Sequence, residues 1–238
     1  MTEFKPSEFK PSEFKPSEEW NAKTPERGYH HCDGVFVKRS LRPSEYVTSY
    51  KGGLHIPRLG IERLQNEAES LRFLRRFSNI PVPTLYAAFE VDGAFFLIME
   101  YIEGIGMSAL PEDQKQRVWP ELQQYITALH ELKSHKLGGI GDIVIPPCRV
   151  LERTGKDSDS WPRKESQSQE YVFCHNDLSQ HNIIVDPDTL KIKAIIDWEY
   201  AGFFPEYFEA SFYKRIGPSS ALDGEPDDVP LLLDFLRS

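Results

Sequence analysis

The sequence predicts an α+β fold in two lobes, and three observations favour it. Short β-strand patterns surround one long amphipathic helix in the front half, helix and strand patterns are mixed in the back half, and a segment ending in glycine, Glu100–Gly104, separates the halves. These changes of pattern divide the chain into a tail (residues 1–19), an N-terminal lobe (residues 20–102) and a C-terminal lobe (residues 103–238).

The tail contains a five-residue unit, Glu-Phe-Lys-Pro-Ser, which occurs three times between Glu3 and Ser17. Each unit holds a proline, which lacks a backbone donor and disfavours helical backbone at the lysine before it. The repeat therefore predicts a disordered tail, and a perfect short repeat is typical of a replication accident. The alternative is a docking or phosphorylated linker.

Beyond the tail, the first strand pattern is Val35–Lys38, directly after the turn dipeptide Asp33-Gly34. The spacing then predicts a helix over residues 60–77, because apolar residues recur three and four positions apart, at Ile61, Leu64, Ala68, Leu71 and Leu74. Glu67 falls at the edge of this apolar stripe, so we expect its carboxylate to face inward.

A hairpin is predicted after the helix. Ile80–Pro83 carries two prolines, which end the helix and force extended backbone. Residues 86–90 and 95–101 then read as two strands around the turn Asp92-Gly93. The second strand is continuously apolar and is therefore predicted to be buried.

The back half opens with a second helix, which we expect to start near Pro120 and to end at the glycines of residues 138–139, because proline is favoured in the first turn of a helix. Residues 146–169 are polar and contain prolines, so they predict a loop with at most short helical pieces. Three strand patterns follow, at residues 171–174, 182–185 and 192–196.

Composition excludes several classes of function. The 238 residues include 28 Lys and Arg against 37 Asp and Glu, giving a net charge of −9 without a basic cluster, so nucleic acid is not an expected partner. The most apolar stretch, residues 86–102, is interrupted by acidic residues, and the N-terminus lacks the pattern of a signal peptide. We therefore expect no membrane partner. Three widely spaced cysteines, read as reduced thiols, indicate a cytoplasmic location.

A motif that can carry chemistry lies between two of the predicted strands. Residues 175–182 read H-x-D-x-x-x-x-N, and Asp197 follows Asp177 by 20 residues. Phosphoryl transfer needs one carboxylate that orients the attacking hydroxyl and accepts its proton, and separate oxygen ligands for the magnesium that bridges the nucleotide phosphates. Asp177 matches the first role, and Asn182 and Asp197 match the second. We place His175 beside Asp177 in the candidate catalytic pair, holding the loop through hydrogen bonds.

The alternative is that these residues have ordinary structural roles. A loop aspartate, an asparagine at a strand start and an aspartate that caps a strand are each commonplace. Their combination in a strand, loop, strand, turn and strand context favours a functional site. Asn and Asp oxygens suit Mg²⁺, whereas a zinc site would need more thiolate or imidazole.

Several stretches resemble the aminoglycoside phosphotransferase and choline kinase-like family, especially its fungal members: residues 173–182, 195–199 and 201–207, and also 80–83, 98–104 and 129–130. The resemblance spans about Val35 to Arg215. It implies a two-lobed protein-kinase-like fold with a reduced N-terminal β lobe and a shortened, mainly helical C-terminal lobe. It also implies transfer of the γ-phosphate of ATP to a hydroxyl of a small molecule, with Asp177 as base and with Asn182 and Asp197 as ligands of Mg²⁺.

Further site residues follow from the same resemblance. Lys38 resembles the strand lysine that contacts the nucleotide phosphates, and Glu67 resembles its helical ion-pair partner. Glu100 and Ile102 would offer backbone groups to adenine. On the alternative interpretation, Lys38 and Glu67 are solvated charges, and Lys51 is a weaker substitute for the lysine.

The sequence also departs from the family pattern. A glycine-rich phosphate loop should precede Lys38, yet Trp20–Asp33 offers only Gly28. His30–Cys32 predicts a loop; the alternative is a metal site, which would need further ligands at a suitable spacing. Only 41 residues follow Asp197, whereas in the family the helices after this point build much of the acceptor pocket. Acidic residues in this part could favour a cationic acceptor such as an amino alcohol or an aminoglycoside; the alternative is a solvated face. They are Glu206, Glu209, Asp223, Glu225, Asp227 and Asp228.

Two functional hypotheses remain open at this point. The first is an ATP- and Mg²⁺-dependent phosphotransferase that acts on a small-molecule hydroxyl. The second is a catalytically silent kinase-like scaffold that binds nucleotide or a protein partner, which the missing glycine loop favours. A protein kinase is disfavoured, because no Ala-Pro-Glu signature follows Asp197. Nothing in the sequence indicates an oligomeric state.

Overall fold

The computed structural model describes residues 19–48, 52–155, 160–168 and 170–238. The predicted tail, apart from Glu19, lies outside the described residues, as does Lys51.

The first seven strands are β1 (Trp20–Lys23), β2 (Arg27–Cys32), β3 (Val35–Ser40), β4 (Val47–Thr48), β5 (Leu54–His55), β6 (Leu85–Val91) and β7 (Ala94–Glu100). Five of them form an antiparallel sheet in the order β1-β2-β3-β7-β6. The predicted strand at Val35 and the predicted hairpin are present, with bounds that differ by one or two residues.

The prediction of a loop at His30–Cys32 is wrong, because these residues belong to β2. β2 pairs with β1 on one side and with β3 on the other, and these backbone hydrogen bonds stabilise a strand that the local sequence does not indicate. Pro25 and Gly28 give this region a composition typical of a loop, so the sequence did not indicate β1 and β2.

The helix that packs on this sheet is α1 (Gly60–Phe77), with the predicted bounds. Leu64, Leu71 and Leu74 are buried on its inner face, as the apolar spacing requires. Glu67 is buried among them, as predicted. The helix ends where the backbone N–H and the hydroxyl of Ser78 both donate to the carbonyl of Leu74.

The rest of the chain contains helices α2 (Glu112–Glu131), α3 (Cys148–Glu152) and α4 (Val229–Arg237), and strands β8 (Ile105–Gly106), β9 (Lys133–Ser134), β10 (Tyr171–Cys174), β11 (Ile183–Val185), β12 (Ile192–Ile195) and β13 (Gly202–Phe204). Two three-stranded sheets form, in the orders β12-β11-β8 and β13-β10-β9. The sheet strands β10, β11 and β12 match the three predicted strand patterns, and α3 is the short helical piece expected within the loop.

The expected bounds of the second helix are wrong, because α2 begins at Glu112, contains Pro120 inside it and ends at Glu131, before the glycines of residues 138–139. A proline at this position removes a hydrogen bond to the carbonyl of Gln116. Both residues are exposed, so water can satisfy that carbonyl, while Val118 and Leu122 on the opposite face are buried and hold the helix against the core.

One apolar core runs through both halves of the chain. It includes Leu64 of α1, Leu97 of β7, Leu122 of α2 and Phe173 of β10. This continuity fixes the sheet of the front half relative to the strands that carry the H-x-D motif. Among the described residues, no helix has the length and apolar character needed to cross a membrane.

Candidate active site

A cleft of about 900 Å³ lies between the five-stranded sheet and the back half of the chain. Side chains from both sides line it, including Lys38 and Met99 from the sheet and Asp177, Asn182 and Asp197 from the back half. A concave site with convergent polar groups on apolar walls is typical of ligand binding. Lys38 and Asp197, which are 159 positions apart in the chain, are in contact here.

Lys38 lies in the middle of β3, where its backbone pairs with Leu97 of β7. Its buried Nζ lies 2.8 Å from a carboxylate oxygen of Glu67 and also contacts Asp197. Burial lowers the pKa of Lys38, but the surrounding carboxylates outweigh it and hold this pKa well above its usual value. Lys38 is therefore a cation at neutral pH, held at the wall of the cleft.

Glu67 is the helical partner of this lysine. Burial raises the pKa of its carboxyl to about 7, and the positive charge of Lys38 opposes that rise. The resemblance paired Lys38 with Glu67, and the structure places their charged atoms in direct contact. The pair joins β3 to α1.

The turn after β10 carries the H-x-D motif and is held from inside by His175. This buried imidazole accepts a hydrogen bond from the backbone N–H of Asp177 at Nδ1 (3.2 Å), so its Nε2–H donates to the carbonyl of Ile196 (3.0 Å). Its ring lies 4.4 Å from that of Trp198. Burial lowers the pKa of His175 to about 4, so it stays neutral while it holds Asp177 in place.

Asp177 points into the cleft from this turn. Burial, followed by the negative charge of Asp197, raises the pKa of its carboxyl to about 7. A carboxyl with a pKa close to neutral suits a group that must accept a proton during a reaction. The role of Asp177 as the proton acceptor stays a prediction.

The two expected magnesium ligands flank Asp177. The side-chain N–H of Asn182 donates to the carbonyl of Asp177 (2.8 Å), which leaves its oxygen as the atom available to a cation. Asp197 follows β12 with a φ of 69°, and its side chain is 35% exposed at the cleft. An amide oxygen and a partly exposed carboxylate form a donor set that fits Mg²⁺, which takes one or two protein carboxylates and keeps several waters.

Sequence reasoning missed a charge cluster behind Lys38. Glu199, two residues after Asp197, is buried and lies 3.3 Å from the Nζ of Lys38, 2.9 Å from Arg27 and 3.4 Å from Arg63. These cations hold the pKa of Glu199 below its usual value, although burial opposes them. The only signal in the sequence was the position of Glu199 beside Asp197; Arg27 lay in a strand that was not predicted.

The ammonium group of Lys38 lies among three acidic side chains. Carboxylate oxygens of Glu67, Asp197 and Glu199 lie within 4.8 Å of one another, a grouping that could hold a metal ion. The ammonium group of Lys38 contacts all three carboxylates. The positive charge of Lys38 therefore balances part of their negative charge, and the side chain of Asp197 remains partly exposed at the cleft.

The phosphate-loop position is occupied by the turn between β1 and β2, which contains Thr24, Pro25 and Glu26 and no glycine. The Thr24 side chain accepts a hydrogen bond from the N–H of Arg27 (3.0 Å), which fixes the turn. Glu26 forms an ion pair with Arg63 of α1 at 2.5 Å. The turn is thus tied to the helix beneath it by side-chain contacts.

The expected nucleotide-base residues, Glu100 and Ile102, line the cleft beside Met99. The carboxylate of Glu100 accepts hydrogen bonds from the backbone N–H and hydroxyl of Thr84, at 3.1 and 2.8 Å. The side chain of Glu100 is therefore used within the protein, as is its backbone N–H, which donates to the carbonyl of Thr84 (2.9 Å).

Most of the acidic residues near the C-terminus are engaged inside the protein. Arg149 pairs with Asp228 at 2.8 Å, and Arg215 pairs with Glu225 at 2.6 Å. Glu206 remains exposed, whereas two further contacts join Arg153 to Asp227, and the backbone N–H of His175 to Glu209. These carboxylates therefore do not form the free acidic surface that the case for a cationic acceptor assumed.

The chain is similar to known phosphotransferases and small-molecule kinases. The model of the phosphotransferase enzyme family matches residues 44–212. The chain is 27% identical over 154 residues to the aminoglycoside 3'-phosphotransferase of Streptomyces fradiae, covering 56% of this chain and 57% of that protein. It is 29% identical over 172 residues to ethanolamine kinase 2 of Mus musculus, covering 61% of this chain and 40% of that protein. The chain thus spans less than two thirds of either relative.

Solved structures show the same fold. An aminoglycoside-3'-phosphotransferase of type VIII aligns with a TM-score of 0.56 and 18% identity, covering 93% of this chain and 86% of that one. An aminoglycoside phosphotransferase of Streptomyces rimosus in complex with ADP and streptomycin aligns with a TM-score of 0.50 and 15% identity, covering 77% and 71%. These matches confirm the predicted α+β, kinase-like fold.

Proposed function

Because the chain belongs to the phosphotransferase enzyme family, whose model matches residues 44–212, we propose that it transfers the γ-phosphate of ATP to a hydroxyl group of a small molecule. The observation that carries the proposal is the cleft, in which Lys38, Asp177, Asn182 and Asp197 line one continuous space. Each of these groups has a separate task in phosphoryl transfer, and together they meet its needs.

The proposed roles follow from charge and position. Lys38, a buried cation, binds the nucleotide phosphates, and Glu67 keeps its side chain extended across the cleft wall. Asp177 orients the acceptor hydroxyl and takes its proton, a role that its raised pKa supports. His175 holds the backbone of Asp177 in place.

Asn182 and Asp197 would hold magnesium, which when bound neutralises charge on the transferring phosphoryl group. The backbone carbonyl of Glu100 and the backbone N–H of Ile102 would meet adenine beside Met99. Holding donor and acceptor in one geometry supplies much of the rate, because the reaction then needs little further ordering.

The acceptor is proposed as a class, a small molecule with a free hydroxyl. The relatives named above are an aminoglycoside phosphotransferase and an ethanolamine kinase, so hydroxylated amines are the first compounds to test. Because most acidic groups near the C-terminus are internally paired, neutral polyols belong in the same panel.

Nucleotide binding is tested by calorimetric titration of ATP with and without Mg²⁺. We expect magnesium-dependent binding to the natural chain and at least tenfold weaker binding to Asp197→Asn. Asparagine has the size of aspartate but lacks the negative charge that would bind the metal. Asp188→Asn removes a similar charge from an exposed turn and serves as the matched control. Equal affinities for the two variants would contradict the role of Asp197.

Turnover is tested with Asp177→Asn once an acceptor is found. We expect turnover to fall by about 10² to 10⁴-fold, with ATP affinity retained, because a positioned base contributes that much to the rate. A variant with unchanged turnover would exclude Asp177 as the base.

The alternative function is a catalytically silent scaffold that binds nucleotide or a protein partner. The glycine-free turn between β1 and β2 favours it, because close approach of backbone to phosphate usually requires glycine. ATP binding without any phosphate transfer across the acceptor panel would favour this alternative, and the absence of ATP binding would leave a protein partner as the remaining candidate.

A further inference from the structure

The segment Ile216–Ser220 lines the cleft on the side of Asp177. Arg215 fixes this segment: its guanidinium donates to the carbonyl of Pro218 (3.0 Å) and to that of Ser220 (2.7 Å). The same guanidinium is anchored by two hydrogen bonds of 2.6 Å to Glu225. A bidentate pair of this kind is geometrically specific, so the loop is held against the cleft in one arrangement.

Within this segment, Ser219 is 7% exposed and faces the cleft. The side chains of Ser219 and Asp177 line the same cleft, and the nearby hydroxyl of Ser219 lowers the pKa of Asp177, which offsets part of the larger effect of burial. The Oγ of Ser219 is shielded from solvent and makes no well-formed hydrogen bond within the described part of the chain. A buried hydroxyl without a full partner costs free energy, so its retention at this place calls for an explanation.

The position of this hydroxyl matches that of an acceptor. A substrate hydroxyl must lie within reach of the proposed base, in the cleft that also contains Lys38 and Asp197. Ser219 meets these conditions, whereas its neighbour Ser220 is less buried and is tied to Arg215 through its backbone.

We propose that Ser219 is an internal phosphoryl acceptor and that the chain phosphorylates itself at this residue. The Oγ of Ser219 forms a bond to the γ-phosphorus of ATP, and the bond from that phosphorus to the β,γ-bridging oxygen breaks. ADP leaves with the electron pair, and the hydroxyl proton passes to the carboxylate of Asp177. This inference rests on the proposed function, because it uses the same nucleotide and the same base.

The test is incubation of the dephosphorylated full chain with Mg²⁺ and ATP, in the absence of any small-molecule acceptor. We expect intact-mass analysis to show one added phosphoryl group and peptide mapping to place it on Ser219. The rate constant should not depend on protein concentration, because the transfer occurs within one chain.

Three variants sharpen the assignment. Ser219→Ala should abolish phosphorylation at this residue. Ser219→Thr should retain it, because threonine also carries a hydroxyl on its Cβ. Ser220→Ala is the matched control and should be labelled as the natural chain is. Asp177→Asn should reduce the rate of labelling by about 10² to 10⁴-fold, as expected for loss of a positioned base.

Calorimetric binding of ATP separates the two possible failures. If ATP binds and phosphate is transferred to added small molecules, but Ser219 stays unlabelled, this inference is overturned and the proposed function stands. Labelling at another residue, or labelling that persists in Ser219→Ala, overturns it equally. If ATP does not bind, both the proposed function and this inference are wrong.

Discussion

Replacing Glu199 by glutamine tests the charge cluster behind Lys38. The carboxylate of Glu199 lies 2.9 Å from Arg27, 3.3 Å from Lys38 and 3.4 Å from Arg63, and all four side chains are buried. Glutamine keeps the size of the side chain and removes its charge. The variant therefore leaves three buried cations with one carboxylate fewer to balance them.

The expected cost follows from this arrangement. Removing one partner of a buried ion pair typically destabilises a protein by about 3–5 kcal/mol, because the remaining charge is left without compensation. Here Glu26, Glu67 and Asp197 stay in contact with the same cations. We therefore expect the lower end of the range, a loss of about 3 kcal/mol in the free energy of unfolding.

Urea unfolding at pH 7, followed by tryptophan fluorescence and circular dichroism, measures this loss. Trp198 is fully buried next to Glu199 and reports on this region. Glu90→Gln, on an exposed position of β6, is the matched control and should change stability by no more than about 0.5 kcal/mol. A loss below about 1 kcal/mol in Glu199→Gln would refute the reasoning, because that is the scale of a solvent-screened surface pair.

A double-mutant cycle with Arg27→Met isolates the pair itself. If Arg27 and Glu199 stabilise the fold through each other, the double variant should lose about 1–3 kcal/mol less than the two single losses combined. Strict additivity would mean that the contact at 2.9 Å contributes little.

Two further predictions concern pH and packing. Burial raises the pKa of Glu209 from 4.5 to about 7, although backbone N–H donors and Arg149 oppose this rise. Between these two pH values the folded state binds a proton that the unfolded state has lost. The free energy of unfolding should therefore fall by up to about 3 kcal/mol as pH rises from about 4.5 to 7. Glu209→Gln should flatten this part of the curve of unfolding free energy against pH; an unchanged slope would contradict the prediction. Gly202→Ala should cost about 1–3 kcal/mol in urea unfolding, because the added Cβ would lie 2.7 Å from the carbonyl oxygen of Gly138. Gly53→Ala, with open space at its Cβ, is the control, and equal losses would refute the packing argument.

Within the candidate site, local sequence indicated the residues that share one turn, and the family resemblance paired Lys38 with Glu67. Neither indicated the other contacts between distant segments. The motif at residues 175–182 could be found because its members share one turn between two strands. The contact of Arg27 with Glu199 joins residues 172 positions apart, and nothing in either local sequence indicates it. The approach of Ser219 to Asp177 belongs to the same class, since the loop that carries Ser219 has no regular pattern.

The errors in the fold have the same origin. Pro120 is a strong local signal for a helix start, but burial of Val118 and Leu122 outweighs the single hydrogen bond that the proline removes. The strands β1 and β2 carry weak local signals and exist because β2 pairs with β3 and β1 pairs with β2.

The sequence by itself determined the helix over Gly60–Phe77, the hairpin of β6 and β7 and the turn that carries Asp177, because periodicity and turn residues act over a few neighbouring positions. Only the tertiary structure decided which charges are buried together, which acidic groups remain free and which hydroxyl lies beside Asp177. Those outcomes depend on the packing of distant segments into one core, which excludes water and makes the remaining electrostatic contacts strong.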